Sequence, residues 1–153
     1  MILQTSEGTD IPNYQIREVS AFEANQFADL DANYGASTSR RAEPTPVYNC
    51  HGMTFASRRT GIYDDPALYT ILREDRYVEV PRDDVLPGDV ICYFDDKGAI
   101  THTGLVVTSP RDEVLRVPKV CSKWGKYAEV IHWANDCPYR EHFATARYYR
   151  VRQ

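Results

Sequence analysis

Apolar positions along the chain change their period near its middle. In residues 16–30, Val19, Phe22, the Gln26-Phe27 pair and Leu30 recur three to four apart, which predicts a helix. Ser20 is available as its cap, and Asn33-Tyr34-Gly35 reads as its end. Residues 36–46, rich in Ser, Thr, Arg and Pro, predict a loop. Between Cys50 and Thr60, the residues Met53, Phe55 and Ala56 share a helical face, with Cys50 in the first turn and Gly61 as the stop. Asp65 as cap and Pro66 at the first helical position predict a short helix over 66–73, and 77–81 reads as extended. Ahead of all these, Gly8, Pro12 and their polar neighbours predict a loose N-terminal arm over residues 1–15.

After Leu86-Pro87-Gly88-Asp89 the period becomes two. Val90-Ile91-Cys92-Tyr93-Phe94, a turn at Asp95-Asp96-Lys97-Gly98, and then residues 99–107 predict a hairpin. Further strands are predicted over 114–122, 128–132 and 145–151, with breaks at Ser109-Pro110-Arg111-Asp112 and Trp124-Gly125. Helices first and an antiparallel sheet second make an α+β domain. With 153 residues, the whole of 1–153 is expected to be one domain with its own core.

Composition narrows the function classes. A hydrophobic fraction of 42% with 12% aromatics fits a folded chain. The net charge of −4, with 18 Lys and Arg scattered more than clustered, leaves no electrostatic footprint for nucleic acid. Met1-Ile2-Leu3-Gln4-Thr5 and the following Ser6-Glu7-Gly8-Thr9-Asp10 lack the basic start and apolar run of a signal peptide, and no later stretch could span a bilayer. A cytoplasmic protein with no membrane partner is therefore expected, reaching the outside only by a specialised export route or a carrier partner. The four cysteines, Cys50, Cys92, Cys121 and Cys137, are then free thiols by default.

Cys50 stands out among them. An unpaired cysteine usually behaves as a small buried hydrophobe, but this one sits at a loop-to-helix junction between Asn49 and His51, with Gly52 next. Unpaired N–H groups and the helix dipole stabilise a thiolate at such a place. A base is offered roughly fifty residues on by His102, which shares a strand face with Gly104 and Val106, opposite Thr101, Thr103 and Leu105. The alternative for His102 is a hydrogen-bonded residue on a half-buried strand. Gly104, lacking a side chain, suits close approach by a helix or substrate. Cys50 set against His102 would form a thiolate–imidazolium pair able to attack a carbonyl and protonate a leaving amine, with the backbone N–H groups of Cys50 and His51 as oxyanion donors. Zinc ligation by Cys50, His51, Cys121, Cys137 and His142 is the competing chemistry, but recognised zinc spacing is lacking and no metal or cofactor is expected.

Two motifs carry a resemblance. Asn49-Cys50-His51-Gly52 resembles the Asp-Cys-Ser-Gly signature of NlpC/p60 cysteine peptidases, and Pro87-Gly88-Asp89-Val90-Ile91-Cys92-Tyr93-Phe94 with His102-Thr103-Gly104-Leu105-Val106-Val107 resembles their Gly-Asp-apolar and His-Val-Gly-Ile strands. The likeness covers roughly residues 34–133, in the order of the unpermuted papain-like fold. It implies a papain-like sheet with helices packed on it, Cys50 as nucleophile, His102 as base, and a third polar residue on the following strand to orient the ring. Ser122 is the first candidate for that place and His132 the second. Asn49 and His51 depart from the family's aspartate and serine and are expected to flank the cleft or oxyanion site. Tyr34 resembles an upstream family tyrosine that helps hold the oxyanion. Cys121-Ser122-Lys123-Trp124-Gly125, followed by His132 and Pro138-Tyr139, resembles a stretch in uncharacterised bacterial members of the fold. It leaves Trp124 as either a core residue or a cleft residue.

The resemblance implies a cysteine peptidase or amidase acting on a peptide or peptidoglycan stem-peptide link. The alternatives are a deamidase or acyltransferase using the same dyad on a cytoplasmic protein, and a catalytically silent papain-like binding module.

Overall fold

A computed structural model describes residues 1–138 and 145–153; Tyr139 and His142 lie outside the described residues. The first helix, α1, spans Ala21–Tyr34 and starts later than the apolar spacing suggested. The reason is a capping box: Ser20 Oγ accepts from the Glu23 N–H at 3.1 Å, and the Glu23 carboxylate accepts from the Ser20 N–H at 3.1 Å. Gly35 caps its other end through a bond to the Asp31 carbonyl.

Within the expected loop lies a short strand, β1 (Ser39–Ala42). It is a sheet edge with mostly exposed side chains, so no apolar alternation marks it in the sequence. The helix that carries Cys50, α2 (Cys50–Phe55), is only 6 residues long. It stops short of Gly61 because Ser57 and Arg58 take left-handed backbone angles, with φ of 51° and 65°. Next come α3 (Asp65–Glu74), β2 (Tyr77–Val80), β3 (Val90–Phe94), β4 (Ile100–Val106), β5 (Lys119–Lys123), β6 (Glu129–Trp133) and β7 (Thr145–Val151). Pro66 lies in the first turn of α3 as expected, though Asp64 rather than Asp65 is the cap residue. The turn between β3 and β4 uses Gly98 at φ 83°, which a residue with a Cβ adopts only under strain.

The seven strands form one antiparallel sheet in the order β1-β6-β5-β4-β3-β7-β2. With three α-helices among the described residues, this is the mixed α and β architecture expected from the sequence. Alternation gives the sheet two apolar faces. Val90, Cys92, Phe94 and Ile100 meet Ala56 of the α2 segment and Leu68, Ile71 and Leu72 of α3 on one face. Ile91, Tyr93, Val106, Val120 and Tyr148 pack on the other.

Residues 1–15, expected to be loose, are docked. Ile11 joins the α3-side core at 4% exposure, its N–H bonded to the Leu3 carbonyl at 2.8 Å. Thr5 donates to the buried Glu74 carboxylate, and Tyr14 and Gly61 bond each other's backbones at 3.1 Å in both directions. Among the described residues no helix is long and apolar enough to cross a membrane.

Candidate active site

The site is built around the start of α2. Asn49 caps the helix: its Oδ1 accepts from the Gly52 N–H at 2.9 Å and from the Ile62 N–H at 3.1 Å, while its Nδ2 donates to the Ile62 carbonyl at 2.6 Å. This residue fixes where the helix begins, which is what sets the position of the thiol one residue later. Gly52 lets the turn press against the 60–61 backbone, since a Cβ there would lie 1.8 Å from the Thr60 carbonyl oxygen.

The Cys50 side chain is buried, and its Sγ lies 3.6 Å from His51 Nδ1. The same nitrogen is 2.9 Å from Thr103 Oγ1 on β4. Burial pushes the thiol up to about 11. The N–H groups of Thr103 and His51, the Thr103 hydroxyl and the Cys50 N–H all pull the other way. Burial also pushes His51 down to about 4, so at neutral pH the resting pair is a thiol beside an uncharged imidazole. Transfer of the thiol proton to Nδ1 would leave a thiolate facing a ready ring of donors.

His102 is fully buried on β4, but on the other face of that strand. Thr103, opposite Cys92 on β3, points to the α2 side, and His102, opposite Tyr93, lies against the Tyr93 ring at 5.4 Å between centroids. Burial holds its imidazole well below the ordinary range, helped by the charges of His132 and His51. Gly104, expected to admit a helix, instead admits the neighbouring strands. A Cβ there would meet the Cys121 carbonyl at 2.7 Å, Ser122 Cβ at 3.1 Å and Ile91 Cγ2 at 3.4 Å.

The two candidates for a third residue bond to each other. His132 Nδ1 donates to the Trp133 carbonyl at 2.7 Å, which leaves Nε2 to accept from the Ser122 hydroxyl at 2.7 Å; Ser122 in turn accepts from Trp124 Nε1 at 3.1 Å. The chain Trp124, Ser122, His132 is thus buried and satisfied, and burial pushes His132 down to about 4. Trp124 is a core residue with its N–H bonded, and its ring also lines a groove beside α1. Tyr34 packs edge-on against the Trp124 ring, with centroids 5.1 Å apart. Hence Asn49, Cys50 and His51 meet Thr103 at the α2 terminus, while His102 on β4, Ser122 on β5 and His132 on β6 lie on the other face of the sheet, with Trp124 just past the end of β5.

Sequence reasoning missed the residues that fasten α2. Glu129, fully buried on β6, accepts from the Tyr48 hydroxyl and takes Arg58 in a two-pronged ion pair at 2.6 Å and 3.0 Å. Tyr48 precedes the helix and Arg58 follows it, so one carboxylate holds both ends. Burial pushes this carboxyl up, but the bonds from Arg58 and Tyr48 outweigh it and leave the group below its ordinary value. Opposite Glu129 in the β5–β6 hairpin stands Lys123, also fully buried. Its ammonium donates to the carbonyls of Thr45 and Gly125, each at 2.6 Å, and burial pushes it down to about 8. A Lys and a Glu placed symmetrically about Lys126, across the Gly125 turn, were a readable cross-strand signal.

Among the described residues no group of three His, Cys, Asp or Glu is placed to hold a metal ion. Comparisons with family descriptions, with curated proteins and with solved structures give no match to this chain.

Proposed function

We propose that this chain is a cysteine-dependent enzyme of NlpC/p60-like, papain-like type that breaks an amide bond by acyl transfer through a thioester on Cys50. The observation that carries the reading is a thiol at a helix start, 3.6 Å from an imidazole nitrogen and ringed by N–H and O–H donors. In the forward step the Cys50 proton passes to His51 Nδ1, Sγ bonds to the substrate carbonyl carbon, and the C–N bond breaks as the leaving amine takes the proton from His51. Water then attacks the thioester, releasing a carboxylic acid and restoring the thiol. The backbone N–H groups at the α2 terminus are the donors for the oxyanion. Thr103, bonded to the same Nδ1, orients the ring.

The resemblance in the two motifs supports a peptide substrate of the stem-peptide kind; an amine in place of water would make the same residues a transferase, and a side-chain amide a deamidase. A second reading keeps His102 as the base. His102 is the base that the two-motif resemblance implies, and it is near enough to His51 to feel its charge, although that charge and burial both make His102 harder to protonate.

The test is incubation with purified peptidoglycan and with a peptide library, reading products by mass spectrometry. Cleavage abolished by Cys50→Ala supports acyl transfer. Loss on His51→Ala with His102→Ala active supports the first reading, and the reverse pattern the second. Cleavage unchanged in Cys50→Ala, or no cleavage and no acylation of Cys50 by any probe, sinks the enzyme reading in favour of a binding module.

A further inference from the structure

The face of α1 that should be its buried stripe is only half covered. Glu23, Phe27, Leu30 and Tyr34 recur at the spacing of one helical face, yet α1 has no fully buried residue. What lies under part of that face is a groove of about 570 Å³ between α1 and the β5–β6 turn, floored by Phe27, Leu30 and Trp124 and walled by Tyr63. Tyr63 is held upright by stacking on Tyr14, with ring centroids 4.5 Å apart. Along the rim, Gln26, Asp29 and Asn33 form a second, polar stripe of α1. At the far end the lining reaches Asn49, the residue that caps the Cys50 helix.

The charges along the groove are uneven. Glu23 and Lys126 both line it and are paired with each other at 2.7 Å. Asp29 is exposed on the rim, so among the described lining residues it is the uncompensated charge. We infer that this groove binds an extended peptide segment that places an apolar side chain on Phe27, Leu30 and Trp124 and a basic side chain or free amine against Asp29. The inference rests on the acyl-transfer reading for its direction, because it runs the peptide past Asn49 toward Cys50. Two side-chain amides, on Gln26 and Asn33, can each donate to and accept from a peptide backbone, which a purely apolar occupant would leave unsatisfied; the Asn49 amide is already bonded to Gly52 and Ile62.

The experiment uses the full chain with Cys50→Ala, so that binding is read without turnover. Two probes are titrated by calorimetry, N-acetyl-Ala-Leu-Lys-Ala-amide and N-acetyl-Ala-Leu-Glu-Ala-amide. The Lys peptide is expected to bind more tightly by roughly two- to fivefold at low salt, the effect of one exposed ion pair, and the preference should shrink in high salt. Asp29→Asn should remove the preference and Asp29→Lys reverse it; Asp29 is exposed, and circular dichroism checks that the fold is kept. Equal affinities, a preference untouched by Asp29→Asn, or no binding of either peptide overturns the inference. A dimer in sedimentation that blocks both peptides also overturns it, by assigning the groove to a second copy. Since alkylation of Cys50 is measured separately on the wild-type chain, failure here leaves the chemistry of the thiol standing or falling on its own test.

Discussion

Replacing Glu129 by glutamine keeps the shape of the side chain and removes its charge. In the folded protein that carboxylate is fully buried, takes two bonds from Arg58 and one from Tyr48, and lies 3.8 Å from Cys121 Sγ. Breaking a buried ion pair costs about 3–5 kcal/mol, but Arg58 keeps 37% side-chain exposure and can turn to water, so roughly 2–3 kcal/mol is expected for Glu129→Gln. Urea unfolding followed by tryptophan fluorescence at pH 7 measures it. The pH dependence gives a second reading. A carboxyl held below its ordinary value in the folded state contributes stability that is full above the unfolded pKa and is lost as pH falls through the folded one. The gap between wild type and Glu129→Gln should therefore close in acid, below about pH 4. A cycle with Arg58→Met should show coupling of at least about 1 kcal/mol. If Glu129→Gln lies within about 0.5 kcal/mol of wild type, or if the gap is the same at pH 7 and in strong acid, the clasp on α2 is not what holds it.

Gly52→Ala should destabilise the fold by roughly 3 kcal/mol or more. The usual helical gain of about 1 kcal/mol is swamped because the new Cβ would lie 1.8 Å from the Thr60 carbonyl; a thermal melt with unchanged midpoint would contradict this. Lys123 is pushed down to about 8 from 10.5, so the unfolded chain binds its proton more tightly and stability should rise with pH between those values, a rise that Lys123→Met abolishes in urea titrations. His51 and His132, each pushed down to about 4 from 6.5, must charge when the chain unfolds in mild acid. Stability should fall as pH drops from 6.5 toward 4, and His132→Phe should flatten that slope.

The β3–β4 hairpin was legible because two short runs rich in apolar and β-branched residues, buried along almost their whole length, flank a turn marked by Gly98, and β7 because it is rich in Tyr and β-branched residues. The cysteine at a helix start was legible for a similar reason, as Asn49 is a strong cap residue. β1 was not legible, because an exposed edge strand of Ser39, Arg40 and Arg41 carries no apolar period. The face of β4 seen by α2 was misread. Alternation separates His102 from Thr103 correctly, but only the packing of Met53 near Cys121 and Leu105 shows that the helix lies on the Thr103 side. The buried charges Lys123 and Glu129 escaped notice because strand periodicity is read from apolar residues. Their meaning depends on partners, Tyr48 and Arg58, that come far earlier in the chain.

The most direct test of chemistry at Cys50 is its alkylation by iodoacetamide, followed residue by residue with mass spectrometry across pH 6 to 11. At neutral pH Cys50 should react faster than Cys92, whose thiol burial pushes up to about 12, and than Cys121, because of these three thiols it is Cys50 that has His51 Nδ1 at 3.6 Å and N–H donors around its sulfur. His51→Ala and Thr103→Val should slow it about tenfold or more at pH 7 and leave the rate near pH 11 little changed, since direct ionisation then supplies the thiolate. Alkylation of Cys50 no faster than that of Cys92, with no response to His51→Ala, Thr103→Val or His102→Ala, would contradict a nucleophilic role for the residue.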